Sequence, residues 1–201
     1  YYPLDAWFIK TTAVKERLVE LNKTILWKPA STGEGRFGNW LENMVDWNLS
    51  RSRYWGTPLP IWRTEDGAEE ICIGSLEELT KGYVAAKEKG FNKAVDLKIV
   101  DGKLDVDLHK PFVDQIELIS ASGKVMKRVS DLVDVWFDSG AMPYAQWHYP
   151  FENKEAIDKA QAFPADFICE GVDQTRGWFY TLHALGVLLF DSVAYKAVMS
   201  N

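Results

Sequence analysis

Residues 163–182 read FPADFICEGVDQTRGWFYTL, and this segment is the most informative one for the architecture of the chain. Pro164 precedes a short apolar run, Phe167 to Cys169, which is typical of a buried strand. Beyond Gly171, apolar residues recur at helical spacing, namely Trp178, Leu182, Leu185 and Leu189. Asp173 is predicted to cap this helix. The stretch therefore predicts a strand, a tight turn and a helix, as in an open α/β sheet whose ligands bind where the strands end.

The polar residues of this turn indicate what kind of ligand it could hold. A phosphate cradle needs several glycines, backbone donors and a lysine, whereas this turn carries two carboxylates, Glu170 and Asp173, and the amide of Gln174. Carboxylates accept hydrogen bonds from hydroxyl and ammonium groups. The residue types therefore favour a ribose edge or an amino-acid amine over a triphosphate. The alternative is that Asp173 only caps a helix while Glu170 is a solvated loop charge, and spacing alone leaves it open.

The composition is that of an ordinary globular protein, with 47% hydrophobic and 26% charged residues in a chain of 201. A net charge of −6 argues against a general electrostatic grip on nucleic acid but leaves room for a local basic patch. Cys72 and Cys169 form no Cys-x-x-Cys pair, so neither zinc nor a disulfide is expected, and Cys169 is predicted to be an inert core thiol. The sequence has no signal peptide or long apolar run, which predicts a cytoplasmic protein with no membrane partner.

The first third of the chain is predicted to be mainly helical. A helix is expected from about residue 13 to 22 and another over 37–49, with a glycine-rich connector at 31–38 that lacks the ending of a phosphate loop. The segment 46–60, DWNLSRSRYWGTPLP, then interleaves Arg51 and Arg53 with aromatic residues. Arginine stacks on aromatic faces and forks onto phosphates. Either an RNA contact or an arginine–aromatic packing corner fits this pattern.

The middle of the chain is predicted to be a small β-rich module. Turn pairs at 66–67, 101–102 and 122–123 predict three hairpins, and a capping box at Ser75 predicts one helix to about residue 89. His109 is more typical of a hydrogen-bonded structural residue than of a metal ligand. Residues 132–137 then read as a buried strand with Trp136 near its end, and 138–140 as a turn. Trp136 and Trp178 could wall an apolar pocket, or both could be core residues.

Three motifs occur in an order that resembles the isoleucyl-tRNA synthetases, a family of class I aminoacyl-tRNA synthetases. They are DWNLSRSRYWGTP at 46–58, DVWFDSG at 134–140 and EGVDQTRGWF at 170–179, and the wording of 142–153 is similar to the eukaryote-like branch. The resemblance implies an internal piece of a longer enzyme, between its editing domain and its Lys-Met-Ser-Lys-Ser loop. It implies an α/β fold, the second half of a Rossmann-type catalytic domain with a small β-rich connective insertion. The expected boundaries are 1–58 for the exit from the editing insertion with a helical connector, 59–130 for the connective module and 131–201 for the Rossmann half.

The resemblance also implies residue roles. Glu170, Gly171, Asp173 and Gln174 resemble positions that hold isoleucyl-adenylate, with Asp173 and the Gly171 backbone facing the ribose hydroxyls and Gln174 the α-amine. Trp136 and Trp178 resemble the indoles that line the isoleucine pocket.

The implied reaction is activation of L-isoleucine by ATP with Mg²⁺, then transfer to tRNA(Ile), by a monomeric enzyme. No residue here resembles a nucleophile or a general base. The piece alone is expected to be inactive, because it lacks the His-Ile-Gly-His and Lys-Met-Ser-Lys-Ser signatures. The alternatives are a tRNA-acceptor or partner-binding module without catalytic activity, in which Arg51 and Arg53 contact RNA, and a scaffold without any site.

Overall fold

The computed structural model describes residues 5–201, and the fold is α/β. The chain forms two compact units: unit 1 contains the residues up to Leu49 together with Asp134–Asn201, and unit 2 is Ser50–Val133. Unit 2 includes the predicted module 59–130 and a short segment on either side of it. Within residues 5–201, no helix combines the length and the apolar composition that crossing a membrane requires.

Short strands and helices alternate along the chain. The strands are β1 Phe8–Ile9, β2 Leu26–Lys28, β3 Trp47–Asn48, β4 Ser50–Arg51, β5 Ile61–Thr64, β6 Glu70–Cys72, β7 Ile99–Val100, β8 Lys103–Leu104, β9 Leu118–Ile119, β10 Val125–Arg128, β11 Leu132–Val133, β12 Ala165–Glu170 and β13 Tyr195–Ser200. The α-helices are α1 Lys15–Asn22, α2 Gly38–Glu42, α3 Leu76–Glu88, α4 Val135–Ala145, α5 Lys154–Asp158 and α6 Trp178–Phe190. Short 3-10 helices lie at Thr11–Val14, Val113–Gln115 and Val172–Arg176, and a π-helix at Thr32–Phe37.

Unit 1 is built on a parallel sheet of β12, β13 and β2, in that spatial order. The helix α6 connects β12 to β13, because parallel neighbours need a crossover connection. All residues of α6 from Phe179 to Val187 are buried, which explains the nearly continuous apolar sequence of this helix. The predicted strand, turn and helix are therefore confirmed as elements, although Leu189 is exposed and lies outside the buried part of α6.

The predicted burial of β12 is wrong. Phe167 is 57% exposed and Cys169 is exposed, because the face of the sheet that carries them is not covered by the described residues. The register places Phe167 opposite Ala197, which in turn is opposite Leu26, and Cys169 opposite Met199. Leu26, Phe167 and Met199 thus share one face of the sheet and all are exposed. Cys169 is therefore a surface thiol on this face and not a core thiol.

The segment 31–38 is not the predicted connector. It forms a π-helix that packs against Trp27, and a Cβ at Gly33 would overlap the Trp27 ring. The buried amide of Asn22 holds this arrangement, since its Nδ2 donates to the Gly33 carbonyl at 3.1 Å and its Oδ1 accepts from Trp27 Nε1 at 2.9 Å. The helix expected over 37–49 covers only Gly38–Glu42.

Unit 2 contains an antiparallel sheet in the order β6–β5–β10–β9, with α3 against it. The three predicted hairpins are confirmed, including the small β7–β8 pair at 101–102. Ser75 caps α3 by accepting from the Glu78 N–H at 3.1 Å. Trp62, Tyr83 and Ile116 are among the fully buried side chains of this core. The strands β4 and β11 pair with each other, so the two ends of unit 2 lie side by side.

Candidate functional site

The site predicted from sequence is centred on the turn that follows β12, at the carboxyl edge of the parallel sheet. Gly171 is extended (φ −65°, ψ 154°), and a 3-10 helix from Val172 to Arg176 follows it before α6 begins at Trp178. The Val172 N–H donates to the Asn201 carbonyl at 2.8 Å, and the Asn201 N–H donates to the Glu170 carbonyl at 3.1 Å. Backbone bonds to the end of β13 therefore fix the start of the turn.

The N-cap residue of α6 is Gly177, and the side chain that accepts from the first N–H of the helix is that of Gln174, not Asp173. Its Oε1 accepts from the Trp178 N–H at 2.9 Å, and its Nε2 donates to Asp173 Oδ2 at 2.9 Å. The predicted cap at Asp173 is wrong because the 3-10 turn delays the start of the α-helix by four residues. The two bonds fix the orientation of the amide, since an acceptor faces a backbone donor and a donor faces a carboxylate. The bond to Oδ2 thereby fixes the orientation of the Asp173 carboxylate.

Two glycines let the backbone approach these side chains closely. A Cβ at Gly177 would lie 2.6 Å from Gln174 Oε1 and 3.3 Å from Trp136 Cη2. A Cβ at Gly171 would lie 2.5 Å from Asp173 Oδ1. The Asp173 carboxylate therefore folds back over the Gly171 backbone, and the Gln174 amide and the Trp136 ring both lie against Gly177.

The indole of Trp136 reaches this turn from a helix and not from a strand. Asp134 ends the short strand β11 and caps α4, because its Oδ1 accepts from the Trp136 N–H at 3.2 Å. The expected strand over 132–137 therefore stops at Val133, and the expected turn at 138–140 lies inside α4. Trp136 remains 40% exposed.

The indole of Trp178, at the start of α6, also contacts α4. Trp178 Nε1 donates to the Ser139 carbonyl of α4 at 3.0 Å, and the side chain is half-buried. Trp136 lies beside Gly177, the residue before Trp178, since a Cβ there would be 3.3 Å from its ring. The two predicted indoles therefore belong to one junction between α4 and α6, beside Gln174.

The two carboxylates of the site are exposed to solvent. Glu170 ends β12, and within residues 5–201 its carboxylate makes no hydrogen bond or ion pair. Asp173 has one oxygen bound by Gln174 and is otherwise open. Both groups can accept hydrogen bonds from hydroxyl or ammonium groups of a ligand. All six residues predicted for the adenylate site thus lie in unit 1, around one turn.

Sequence reasoning missed the residues from the π-helix and α2 that contact this turn. Arg36, in the π-helix, donates from Nε to Thr175 Oγ1 at 2.9 Å, and the Thr175 hydroxyl donates to the Val172 carbonyl at 2.8 Å. The Arg176 guanidinium lies 5.2 Å from the Trp40 ring centroid, a cation–π distance. No local pattern could pair Arg36 with Thr175, because 139 positions separate them in the chain.

The arginines predicted for RNA lie in unit 2. Arg51 is half-buried in β4 and donates from Nη1 to the Ser50 carbonyl at 2.9 Å, whereas Arg53 is exposed. Trp55 is 64% exposed and stacks on His109, with ring centroids 4.6 Å apart and planes at 6°. His109 is hydrogen-bonded to Asp107 through Nδ1 at 2.7 Å, as a structural histidine would be. Across residues 5–201, no three His, Cys, Asp or Glu side chains group as a metal site requires.

Comparison with known proteins places the whole chain in one family. The family described as tRNA synthetases class I (I, L, M and V) matches residues 1–201. The isoleucine–tRNA ligase of Cytophaga hutchinsonii is 69% identical over all of this chain and 17% of its own length, and that of Thermus thermophilus is 49% identical over all of this chain and 18% of its own. A solved complex of LeuRS, tRNA and LeuAMS from Agrobacterium radiobacter K84 is 17% identical over 78% of this chain and 20% of its own, with a TM-score of 0.45.

The chain thus spans 17 to 18% of the length of these curated relatives. The family match, by contrast, leaves out none of the 201 residues. It includes both motifs that carry the indoles and the turn after β12. The chain therefore belongs to the class I tRNA synthetases of the I, L, M and V group.

Proposed function

We propose that this chain is a segment of an isoleucine–tRNA ligase and forms one side of the site where isoleucyl-adenylate is made. The observation that carries the proposal is the convergence of Asp173, Gln174, Trp136 and Trp178 on the start of α6. Identity of 69% to a protein named isoleucine–tRNA ligase, over the full chain, favours isoleucine over the other amino acids of the family.

Each group has a role that its chemistry fits. Asp173 and the Gly171 backbone would bind the ribose hydroxyls, with Glu170 beside them, because carboxylates accept from hydroxyls. Gln174 has an oxygen with a second lone pair that can accept from the α-amine of the amino acid. Trp136 and Trp178 offer apolar ring surface for the isoleucine side chain.

The residues of this side would act by positioning and charge stabilisation rather than as a nucleophile or a base. ATP with Mg²⁺ would supply the adenylyl group, and tRNA(Ile) would accept the aminoacyl group. The 201 residues contain neither a His-Ile-Gly-His nor a Lys-Met-Ser-Lys-Ser sequence. We therefore expect no adenylate formation by this segment alone.

Unit 1 fits the second half of a Rossmann-type catalytic domain. Its sheet is all-parallel, and such sheets are covered on both faces in α/β proteins. One face instead exposes Leu26, Phe167 and Met199. We propose that the remainder of the catalytic domain covers this face, that residues 59–130 are the connective module, and that residues 1–58 lead out of the editing insertion.

The test is a chimera, in which this chain replaces the aligned 201 residues of the Cytophaga hutchinsonii ligase. We expect ATP–pyrophosphate exchange that depends on isoleucine. Asp173→Ala should lower kcat/KM for isoleucine by about 100-fold, since charged hydrogen bonds to the ligand are lost. Asp166→Ala is the matched control, because Asp166 lies on the same strand and pairs with Lys196 at 2.8 Å, away from the turn.

Two results would contradict the proposal. One is exchange by the chimera that prefers leucine, methionine or valine to isoleucine. The other is equal activity of the Asp173→Ala and Asp166→Ala variants.

A second proposal concerns RNA contact by Arg51 and Arg53, and the exposed Trp55–His109 stack favours it. An exposed aromatic surface near arginines suits stacked bases and phosphates. Arg53→Ala and Trp55→Ala should each weaken salt-dependent binding of tRNA(Ile) by the chimera. Arg63→Ala is the control, because Arg63 pairs with Glu70 on the sheet of the same unit. Binding that all three substitutions weaken alike would count against a specific contact.

A further inference from the structure

We infer that Arg36 is a positioning residue for the adenylate site and acts through the hydroxyl of Thr175. The inference rests on the proposed function, since it concerns the same turn. Arg36 donates from Nε to Thr175 Oγ1 at 2.9 Å. Asp173 and Gln174 lie between Val172 and Thr175 on one 3-10 helix, so the group that fixes this helix also fixes their side chains.

The Thr175 hydroxyl closes the turn from inside. Thr175 is fully buried, and its Oγ1 both accepts from Arg36 and donates to the Val172 carbonyl at 2.8 Å. The hydroxyl therefore uses its donor on the turn itself and offers a lone pair to Arg36. Without Arg36, a buried acceptor would lose its charged donor, and the turn would lose its link to the π-helix.

The backbone that carries Arg36 is itself rigidly held. The next residue, Phe37, is fully buried and packs on Trp27 and His183 at ring-centroid distances of 5.0 and 5.8 Å. Asn22 fixes the Gly33 carbonyl in the same π-helix. Arg36 therefore links the turn to a segment whose position is fixed by core packing. Binding sites need such support, because ligand groups must be held within a fraction of an ångström.

A second contact strengthens the same link. The Arg176 guanidinium lies over the Trp40 ring, and Trp40 is on α2, directly after the π-helix. The segment 32–42 thus contacts Thr175 through Arg36 and Arg176 through Trp40. The bland alternative is that Arg36 only adds stability, as any arginine on this unit could.

The chain offers a matched control for that alternative at the opposite end of α6. Arg17 on α1 donates to both oxygens of Asp191, at 2.7 and 3.2 Å, and to Glu20 at 2.7 Å. Asp191 is the residue that ends α6. Arg17 therefore anchors the end of α6 that is remote from the turn, and it makes more bonds than Arg36 does.

The experiment compares Arg36→Ala, Thr175→Val, the double variant and Arg17→Ala in the chimera, with isoleucine-dependent pyrophosphate exchange and thermal unfolding as readouts. We expect Arg36→Ala to lower kcat/KM for isoleucine by about tenfold, the effect of one lost charged hydrogen bond. Arg17→Ala should change kcat/KM for isoleucine by no more than about twofold, because substitutions at distant sites without shared partners act independently. The double variant should have the same kcat/KM as Thr175→Val alone, since both substitutions remove the same Arg36–Thr175 hydrogen bond.

Conservative variants keep the test decisive if the alanine or valine variants fold poorly. Thr175→Ser retains the hydroxyl and should restore most of the activity, whereas Arg36→Lys should restore part of it, because an ammonium group donates without the planar fork. The inference is overturned if Arg36→Ala and Arg17→Ala reduce activity alike in proportion to their loss of Tm, or if Arg36→Ala and Thr175→Val are additive. Failure of the proposed function is distinguishable, because the unsubstituted chimera would then lack isoleucine-dependent exchange.

Discussion

Gln174 accepts the backbone N–H of Trp178 through Oε1 while it donates from Nε2 to Asp173, both at 2.9 Å. One side chain therefore caps α6 and orients the carboxylate that we assign to the ribose. The stability of the helix start and the geometry of the site depend on the same amide group. Substitutions at this position can separate the two contributions.

Gln174→Glu should separate the cap from the carboxylate contact. A glutamate oxygen can still accept from the Trp178 N–H, and a negative charge suits a helix N-terminus, so thermal stability should change little. The new charge repels Asp173, however, and kcat/KM for isoleucine in the chimera should fall. Gln174→Ala should lower both, with a loss of about 1 kcal/mol for the missing cap. A Gln174→Glu chimera with normal kinetics would show that the Asp173 contact has no role.

Gly177→Ala should destabilise unit 1 by about 1–3 kcal/mol, because its Cβ would displace the Gln174 amide and crowd the Trp136 ring. Gly35→Ala is the control, since nothing lies within 4 Å of a Cβ there. That substitution should be neutral or slightly stabilising. Urea unfolding of the isolated chain measures both. Equal effects of the two substitutions would refute the close approach at Gly177.

His183 should make the stability of unit 1 depend on pH. It is fully buried, and its Nε2 donates to the Leu18 carbonyl at 2.9 Å. Burial lowers the pKa of His183 from 6.5 to about 4. Nδ1 has no hydrogen-bond partner within residues 5–201, so its protonation would bury an unpaired charge.

The sign of this effect follows from proton binding. Between pH 6.5 and 4 the unfolded chain holds a proton on this imidazole that the folded chain excludes, so stability is full above pH 6.5 and falls as the pH decreases. The loss approaches about 3 kcal/mol near pH 4. Urea unfolding from pH 7 to 4.5 should show this slope, and His183→Gln should flatten it.

Polar substitution of Leu26, Phe167 and Met199 should have opposite effects in the segment and in the chimera. In the isolated chain these side chains are exposed, and their replacement by Thr, Lys and Gln should reduce aggregation and the binding of a hydrophobic dye. In the chimera the same triple change should lower Tm, because the covered face would then bury polar groups. Leu189→Gln, on exposed α6 surface, serves as the control. A chimera that tolerates the triple change would refute the covered face.

Local patterns predicted the elements that depend on local chemistry. The strand, turn and helix after Pro164, the hairpins of unit 2 and the Ser75 cap all follow from residues close together in the chain. The exposure of Phe167 did not follow, because an apolar run does not reveal whether a sheet is covered on one face or two. The start of α4 was also missed, because 132–137 is apolar except for Asp134, and the sequence pattern did not show that Asp134 caps a helix.

The candidate site shows the same division. Its six residues were found through resemblance and residue chemistry, and the structure brings them to one turn. Their supports were not found, since Arg36 and Thr175 meet only after the whole of unit 2 and much of unit 1 have intervened. Contacts between distant segments leave no periodic signal in either segment.

The Asp134 N–H donates to the Leu49 carbonyl at 2.7 Å. This backbone bond joins the two segments of unit 1, which are separated in the chain by unit 2. The same Asp134 binds Trp47 Nε1 at 3.1 Å and caps the helix that carries Trp136. A gene encoding this chain could therefore gain or lose codons between positions 50 and 133 without shifting the indole. The Leu49–Asp134 hydrogen bond thus separates changes in the length of unit 2 from the position of Trp136.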